Sequence, residues 1–353
     1  MRHLIALIIL ITSFTSAEGA SLAQAQANAN SPEAGLRWIK EYREHPDPQS
    51  VPTLIQTLSK RGLLIDPETS GVYLGFLAGV LGSNPRDASD LAAKTLPLPF
   101  EDQWFLIRAI AYSGLPKWQK VLLHVSPQMP NRQLMVGYYM TGKLPTLDEI
   151  RLEPEPVSTL DRMKSVFKKE TYFGKKEDVE KAPVPTFATK PELIDVQWGM
   201  YFATGKDAPI ERIVALLPWS KERDDTEKLT IGGMSKFTLA TNATRDAKLL
   251  RALRRISTKQ SKKVHPLLME VIIAAETSDT GRIKKEALVA VDELRRKGPG
   301  SKRDIASWGQ VGQTTLALGC MGAALTGQVE FGIPCVVGGG LSSAALRYLT
   351  APE

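Results

Sequence analysis

The chain has 353 residues, of which 43% are hydrophobic and 24% charged, and its formal net charge is +7. This apolar fraction is ordinary for a globular protein and excludes a chain that is disordered throughout. Four histidines and two cysteines leave few candidates for metal-binding or nucleophilic side chains. The length suits one elongated domain or two compact ones.

The first residues have the pattern of a secretory signal. After a short basic start, Leu4 to Phe14 is an apolar run of eleven residues, well short of the roughly 20 that span a bilayer. Small residues follow and fit cleavage after Ala17 or Ala25, and cleavage at Ala25 leaves a polar start to the mature chain. We expect residues 1–25 to be removed and the mature protein to be periplasmic or secreted. An uncleaved membrane anchor is the alternative.

Helical patterns recur along the mature chain, whereas the alternation typical of strands is nearly absent. Ser31, Pro32 and Glu33 supply an N-cap, a proline at the first helical position and an acid in the first turn, and together they begin a helix. Most of the predicted helices have an ordinary length. They span residues 31–44, 69–81, 100–112, 192–203, 209–217, 226–241, 245–256, 264–275 and 283–297.

Three joints between these helices share a glycine that is followed closely by a proline. The glycines are Gly114, Gly142 and Gly205, and Gly82 belongs to a weaker fourth joint. Glycine ends a helix in the left-handed conformation and proline begins the next one, so a short joint makes the two helices antiparallel neighbours. Recurrence at about 30 to 37 residues predicts an all-α, α-solenoid-like array of helical hairpins. An irregular helical bundle is the alternative.

Residues 145–191 interrupt the array, which we therefore divide into helical repeats at 31–144 and at 192–303. The interruption contains two proline pairs, in 153–156 and in 182–185, with a lysine-rich helix candidate between them. Repeated proline removes backbone donors and favours extended structure. The segment is either a hinge between the two helical halves or a long surface excursion.

The last fifty residues, 304–353, form a Gly/Ala-rich element. Only one formal charge, Glu330, lies between 311 and 346, and small residues recur there at fourfold spacing, which lets helix backbones approach closely. We predict a hairpin that caps the helices, inserts into a membrane, or orders on a partner. Cys320 and Cys335 then face each other on opposite arms, and export favours a disulfide between them. Two buried thiols are the alternative.

The positive charge is concentrated between residues 244 and 303, which contain sixteen Lys/Arg and seven Asp/Glu. Such a block indicates an anionic surface partner, a nucleic acid, or simply solvated helix faces. Export argues against a nucleic acid, so an anionic membrane surface remains as a partner. Tryptophans anchor many interfaces. The candidate interface residues are Trp118, Trp219, Arg251, Arg254, Arg255, Lys262 and Lys263.

Motifs that carry chemistry are missing from the sequence. It contains no HExxH, no GxSxG, no phosphate-binding loop and no dinucleotide fingerprint. His45, His124 and His265 lie on separate helices or joints, away from one another. We therefore predict no catalytic residue, no metal and no cofactor.

These patterns favour an exported, non-enzymatic helical-repeat protein that binds another protein or acts as a scaffold. The alternative is an envelope-associated protein held to the membrane by its basic block and its C-terminal hairpin. A third interpretation is a cell-wall-acting enzyme, since lytic transglycosylases join a helical superhelix to a lysozyme-like domain. The fifty terminal residues are too few for that domain, and they offer only Glu330 and Glu353 as acids.

Overall fold

The computed structural model describes residues 32–153 and 185–278, apart from 68, 189, 191 and 224, and the isolated positions 281 and 285. Several predictions lie outside the described residues. They are the signal at 1–25, the greater part of the Pro-rich segment, the helix at 283–297, and the C-terminal element with Cys320 and Cys335.

The described residues are mostly helical and contain no strand, as the sequence predicts for an all-α protein. Seven short 3-10 turns connect or extend the helices within this part of the chain. The twelve α-helices of the described residues are α1 (Pro32–Glu41), α2 (Val51–Lys60), α3 (Gly71–Ser83), α4 (Ala88–Thr95), α5 (Gln103–Tyr112), α6 (Trp118–Val125), α7 (Gln133–Met140), α8 (Glu192–Thr204), α9 (Asp207–Val214), α10 (Thr226–Arg245), α11 (Ala247–Ser257) and α12 (His265–Glu276).

Each predicted helix within the described residues has an observed counterpart, namely α1, α3, α5 and α8 to α12. The sequence pattern misses α2, α4, α6 and α7. These helices have eight to ten residues, and helices this short give the weakest periodic signal; the equally short α9 was predicted because Pro209 of its glycine joint marks its start. The predicted glycine joints are confirmed at three positions, because Gly114, Gly142 and Gly205 have φ of +69°, +68° and +64°. Gly82 instead lies inside α3, which ends at the fourth joint.

The centre of the fold is the contact between α3 and α8. A Cβ atom built on Gly75 would lie 1.9 Å from the carbonyl oxygen of Val196, and one built on Gly199 would lie 2.1 Å from that of Val72. The two backbones therefore touch, and only glycine fits at these positions. Every residue of α3 from Gly71 to Leu81 is buried, as expected for a helix that is apolar on all sides.

This contact joins helices that are far apart in the sequence. In a linear solenoid each repeat packs only on its sequence neighbours, whereas α3 has its most extensive contact with α8. Buried apolar residues from α1 to α12 also belong to one continuous core. The helical character is thus established, while the solenoid and its period are not confirmed.

The Pro-rich segment leaves and rejoins the fold at one place. The amide of Phe187 donates to the carbonyl of Arg151, and that of Ala188 to Leu152, both at 3.1 Å. Arg151 and Thr186 form a parallel β-bridge. The described residues before and after 154–184 therefore lie side by side, and the choice between a hinge and a surface excursion, like the boundaries at 145 and 191, stays a prediction.

Within 32–153 and 185–278, no helix combines the length and the apolarity that crossing a bilayer requires.

Replacing Gly75 by alanine is expected to lower the free energy of unfolding by about 2 kcal/mol or more, because the added methyl group collides with a buried backbone carbonyl. Urea unfolding followed by far-ultraviolet circular dichroism measures the change. Gly137→Ala on α7 is the matched control, since a Cβ there meets no atom within 4 Å. It should raise stability by about 0.5–1 kcal/mol, and an equal response of the two variants would contradict the close approach.

Candidate functional site

Helix α11 has one buried and one charged side. Leu249, Leu253 and Ile256 lie at helical spacing on the inner side and are buried. The sequence from 247 to 263 contains seven Lys/Arg and no Asp/Glu, and all seven cations are exposed. We call them the cationic face: Lys248, Arg251, Arg254, Arg255, Lys259, Lys262 and Lys263. Five of these seven are predicted interface residues.

Three residues of the cationic face are neutralised by acids from other helices and turns. Lys248 pairs with Glu44 at 2.5 Å, and its hydrogen bond lowers the pKa of the Glu44 carboxyl. Arg254 pairs with Glu276 at 2.7 Å. Arg255 binds both carboxylate oxygens of Asp207, at 2.8 and 2.9 Å. Exposed pairs of this kind contribute little to stability, but they set the local charge balance.

Four cations of the face are left without such a partner. Arg251, Lys259, Lys262 and Lys263 form no ion pair with any residue that the structure describes. Arg251 lies on the outer side of α11, and the three lysines lie in the turn that leads to α12. The face therefore has an uncompensated positive charge on a short stretch of surface.

A buried ion pair fixes the start of α11. Arg43, which follows α1, donates to Asp246, and their side chains are only 11% and 9% exposed. Asp246 also caps α11 by accepting from the amides of Lys248 and Leu249, at 3.0 and 3.1 Å. The hydroxyl of Tyr201 on α8 donates to the same carboxylate at 3.4 Å. The cationic face is thus tied to α1 and α8.

The burial of these residues also shifts the pKa values of nearby side chains. The guanidinium of Arg43 stacks on the Tyr201 ring, 4.7 Å from its centroid. Burial raises the pKa of the Tyr201 hydroxyl well above its usual range. Burial lowers the pKa of Lys40, with a further contribution from Arg245.

The two predicted tryptophans lie away from the cationic face. Trp219 is only 8% exposed, and its Nε1 donates to the carboxylate of Glu153 at 3.1 Å. Trp118 is half-buried and meets Tyr139 edge to face, with the ring centroids 6.3 Å apart. Both rings pack against the core, so their proposed role as contact residues stays a prediction that their burial does not favour.

A second exposed surface was not predicted from the sequence. Five large apolar side chains are more than a third exposed on α6, on α7 and on the 3-10 turn Phe100–Asp102. The side chain of Leu134 is the most exposed of them, at 68%. We call this set the apolar face: Phe100, Leu123, Leu134, Tyr138 and Met140.

The elements that carry the apolar face are bound to one another. The Arg132 guanidinium donates to the Phe100 carbonyl at 2.6 Å and lies 3.9 Å from the centroid of its ring. The side-chain amide of Gln133, at the start of α7, donates to the Ser126 carbonyl at the end of α6, at 2.8 Å. These contacts hold α6, α7 and the turn at Phe100 in one arrangement.

A buried polar cluster anchors α7 from its inner side. Arg108 on α5 lies near the hydroxyls of Tyr112 and Tyr139, which raise the pKa of its guanidinium, and it lies 4.9 Å from the centroid of the Trp104 ring. Burial raises the pKa of Tyr139 and of the neighbouring Tyr112. The cluster fixes which side of α7 faces the core and therefore which side faces the solvent.

The histidines of the described residues lie apart from one another. His45, His124 and His265 are exposed and lie on separate elements. In the part of the chain that the structure describes, no three His, Cys, Asp or Glu residues are grouped so that they could hold a metal ion.

A comparison of the chain with protein-family models, with curated proteins and with solved structures finds no match. Function is therefore argued from the residues of the chain itself.

Replacing Asp246 by asparagine is expected to lower the free energy of unfolding by about 3 kcal/mol, because it leaves the buried Arg43 guanidinium with only its longer ion pair to Glu44, at 3.5 Å. Asparagine caps a helix as well as aspartate does, so the loss reports the ion pair. Asp90→Asn, which breaks an exposed pair with Lys94, should change stability by less than about 0.5 kcal/mol. Equal effects in urea unfolding would show that the buried pair has no special role.

Proposed function

We propose that the protein is an exported, non-enzymatic helical protein that binds another protein through its apolar face. The observation that carries the proposal is the concentration of exposed apolar side chains on three adjoining elements, α6, α7 and the turn at Phe100. Of the seven large apolar residues that are exposed in the described part of the chain, five belong to this face. Monomeric proteins rarely expose large apolar patches unless these bind something.

The composition of the apolar face suits a protein partner. Interface centres are enriched in aromatic residues and methionine and are surrounded by a polar rim. Phe100, Tyr138 and Met140 supply the first of these features, the aromatic residues and methionine. Arg132 and Lys143 supply the second, since each places its cation over an aromatic ring of the face, 3.9 and 5.2 Å from the ring centroid.

The geometry suggests what the partner offers. Leu134 and Tyr138 are four residues apart on α7 and therefore project from the same side of the helix. Lys120 is exposed three residues before Leu123 on α6. The partner in this proposal presents an apolar groove or helix with acidic residues at its edge.

The array of antiparallel hairpins and the export of the protein are part of the same proposal. The α5–α6 hairpin, which turns at Gly114, and α7, which ends before Gly142, present the apolar face as part of an array of antiparallel hairpins. Export rests on the signal-like segment from Leu4 to Phe14, and places the partner in the periplasm or outside the cell. No described residue favours the cell-wall enzyme.

The double substitution Leu134→Glu and Tyr138→Glu tests the proposal in the full chain. Each truncated anchor of an interface costs about 2 kcal/mol or more, so partner affinity should fall at least about 30-fold. Affinity capture from the exported fraction of the source cells, followed by titration of the captured protein, measures this loss.

The matched control is Ile65→Glu with Ile273→Glu, since both side chains are about half exposed outside the apolar face. The control should retain the partner, and both variants should keep the urea midpoint of the wild type. Recovery of the same protein by both variants at unchanged affinity would show that the apolar face is not the binding site.

A further inference from the structure

The cationic face is a separate surface that the binding of a protein to α6 and α7 does not use. It lies on α11 and on the turn to α12, and its cations occur without any acid between 247 and 263. Lys248, Arg251, Arg255 and Lys259 are three or four residues apart and follow the outer side of the helix. Lys262 and Lys263 extend the charge into the turn.

This surface is preformed. The inner side of α11 is buried through Leu249, Leu253 and Ile256, and its first turn is fixed by the cap at Asp246. The bound acids Glu44, Asp207 and Glu276 neutralise one cation each and leave Arg251 and three lysines uncompensated. A partner therefore meets a fixed row of cations, and little ordering of the backbone is needed on contact.

We propose that the cationic face docks the protein on an anionic phospholipid surface. A protein partner needs apolar or aromatic anchors that fill pockets, and the described residues from 247 to 263 expose no large apolar side chain. Headgroup attraction needs only cations close to the surface, and each one contributes independently. The cationic face has the cations that headgroup attraction needs and lacks the apolar anchors that a protein partner needs.

The path of the chain supports the same partner. Helix α12 ends at Glu276, which pairs with Arg254 of the cationic face at 2.7 Å. The chain therefore continues from beside this face. The sequence from 279 to 303 adds eight Lys/Arg against four Asp/Glu, and residues 311–346 contain a single charge. More cations and a weakly charged segment thus follow α12 in the sequence.

Vesicle binding of the full chain tests the proposal. Vesicles of phosphatidylcholine, with and without phosphatidylglycerol, are sedimented with the wild type and with the variant in which Arg251, Lys259, Lys262 and Lys263 are replaced by glutamine. The wild type should bind the anionic vesicles and lose affinity as salt is added. The variant should lose about five-fold in affinity per cation removed, and more than about 100-fold in total.

A second quadruple variant keeps the change in total charge the same. Lys60, Arg61, Arg86 and Lys94 are exposed on other elements, and their replacement by glutamine lowers the net charge equally. This control should bind anionic vesicles within about two-fold of the wild type. Far-ultraviolet circular dichroism of both variants establishes that each is folded.

Three outcomes would overturn the proposal. They are equal binding of the wild type to neutral and anionic vesicles, equal losses in the two quadruple variants, and a face variant that keeps vesicle binding but loses binding to a DNA duplex. Since the apolar face is intact in both variants, capture of a protein partner is unaffected by the result, and the two proposals fail separately.

Discussion

The contact between the backbones of α3 and α8 is the constraint on which the rest of the fold depends. Gly75 and Gly199 each lie against a carbonyl oxygen of the opposite helix, so a side chain at either position has nowhere to go. Two helices this close make van der Waals contacts along their whole length. The other helices then cover this pair, in which α3 is almost entirely apolar and α8 buries Glu192, Asp195 and Gln197 besides its apolar residues.

Helix α8 connects the central contact with α3 to α10 and to the start of α11. The Trp198 indole donates to Thr238 on α10 at 3.2 Å, and the Tyr201 hydroxyl reaches the carboxylate of Asp246. That carboxylate begins α11 and receives Arg43 from the end of α1. The buried carboxylate of Asp246 thus fixes the start of α11 and, with it, the side of the helix on which the cations face the solvent.

Sequence patterns predicted the features whose causes are local. Long helices with capping residues, the left-handed glycines at three joints, and the cations of α11 follow from neighbours within a few positions. The apolar face was missed because α7 is apolar on both sides, and the packing of Val136 and Tyr139 in the core decides which side is buried. The burial of Trp219 was missed for a related reason, since Glu153 lies 66 positions away. No local sequence pattern in α3 identifies α8 as the helix that it packs against.

The separation of α3 and α8 in the sequence has a consequence for how the protein is made. The chain emerges from the ribosome, or from an export channel, with its N-terminus first, at about 5–20 residues per second. Helix α3 ends at Ser83 and α8 begins at Glu192, so roughly 5–20 seconds pass before the partner of α3 exists. Throughout that interval a helix without a polar side is exposed to other apolar chains.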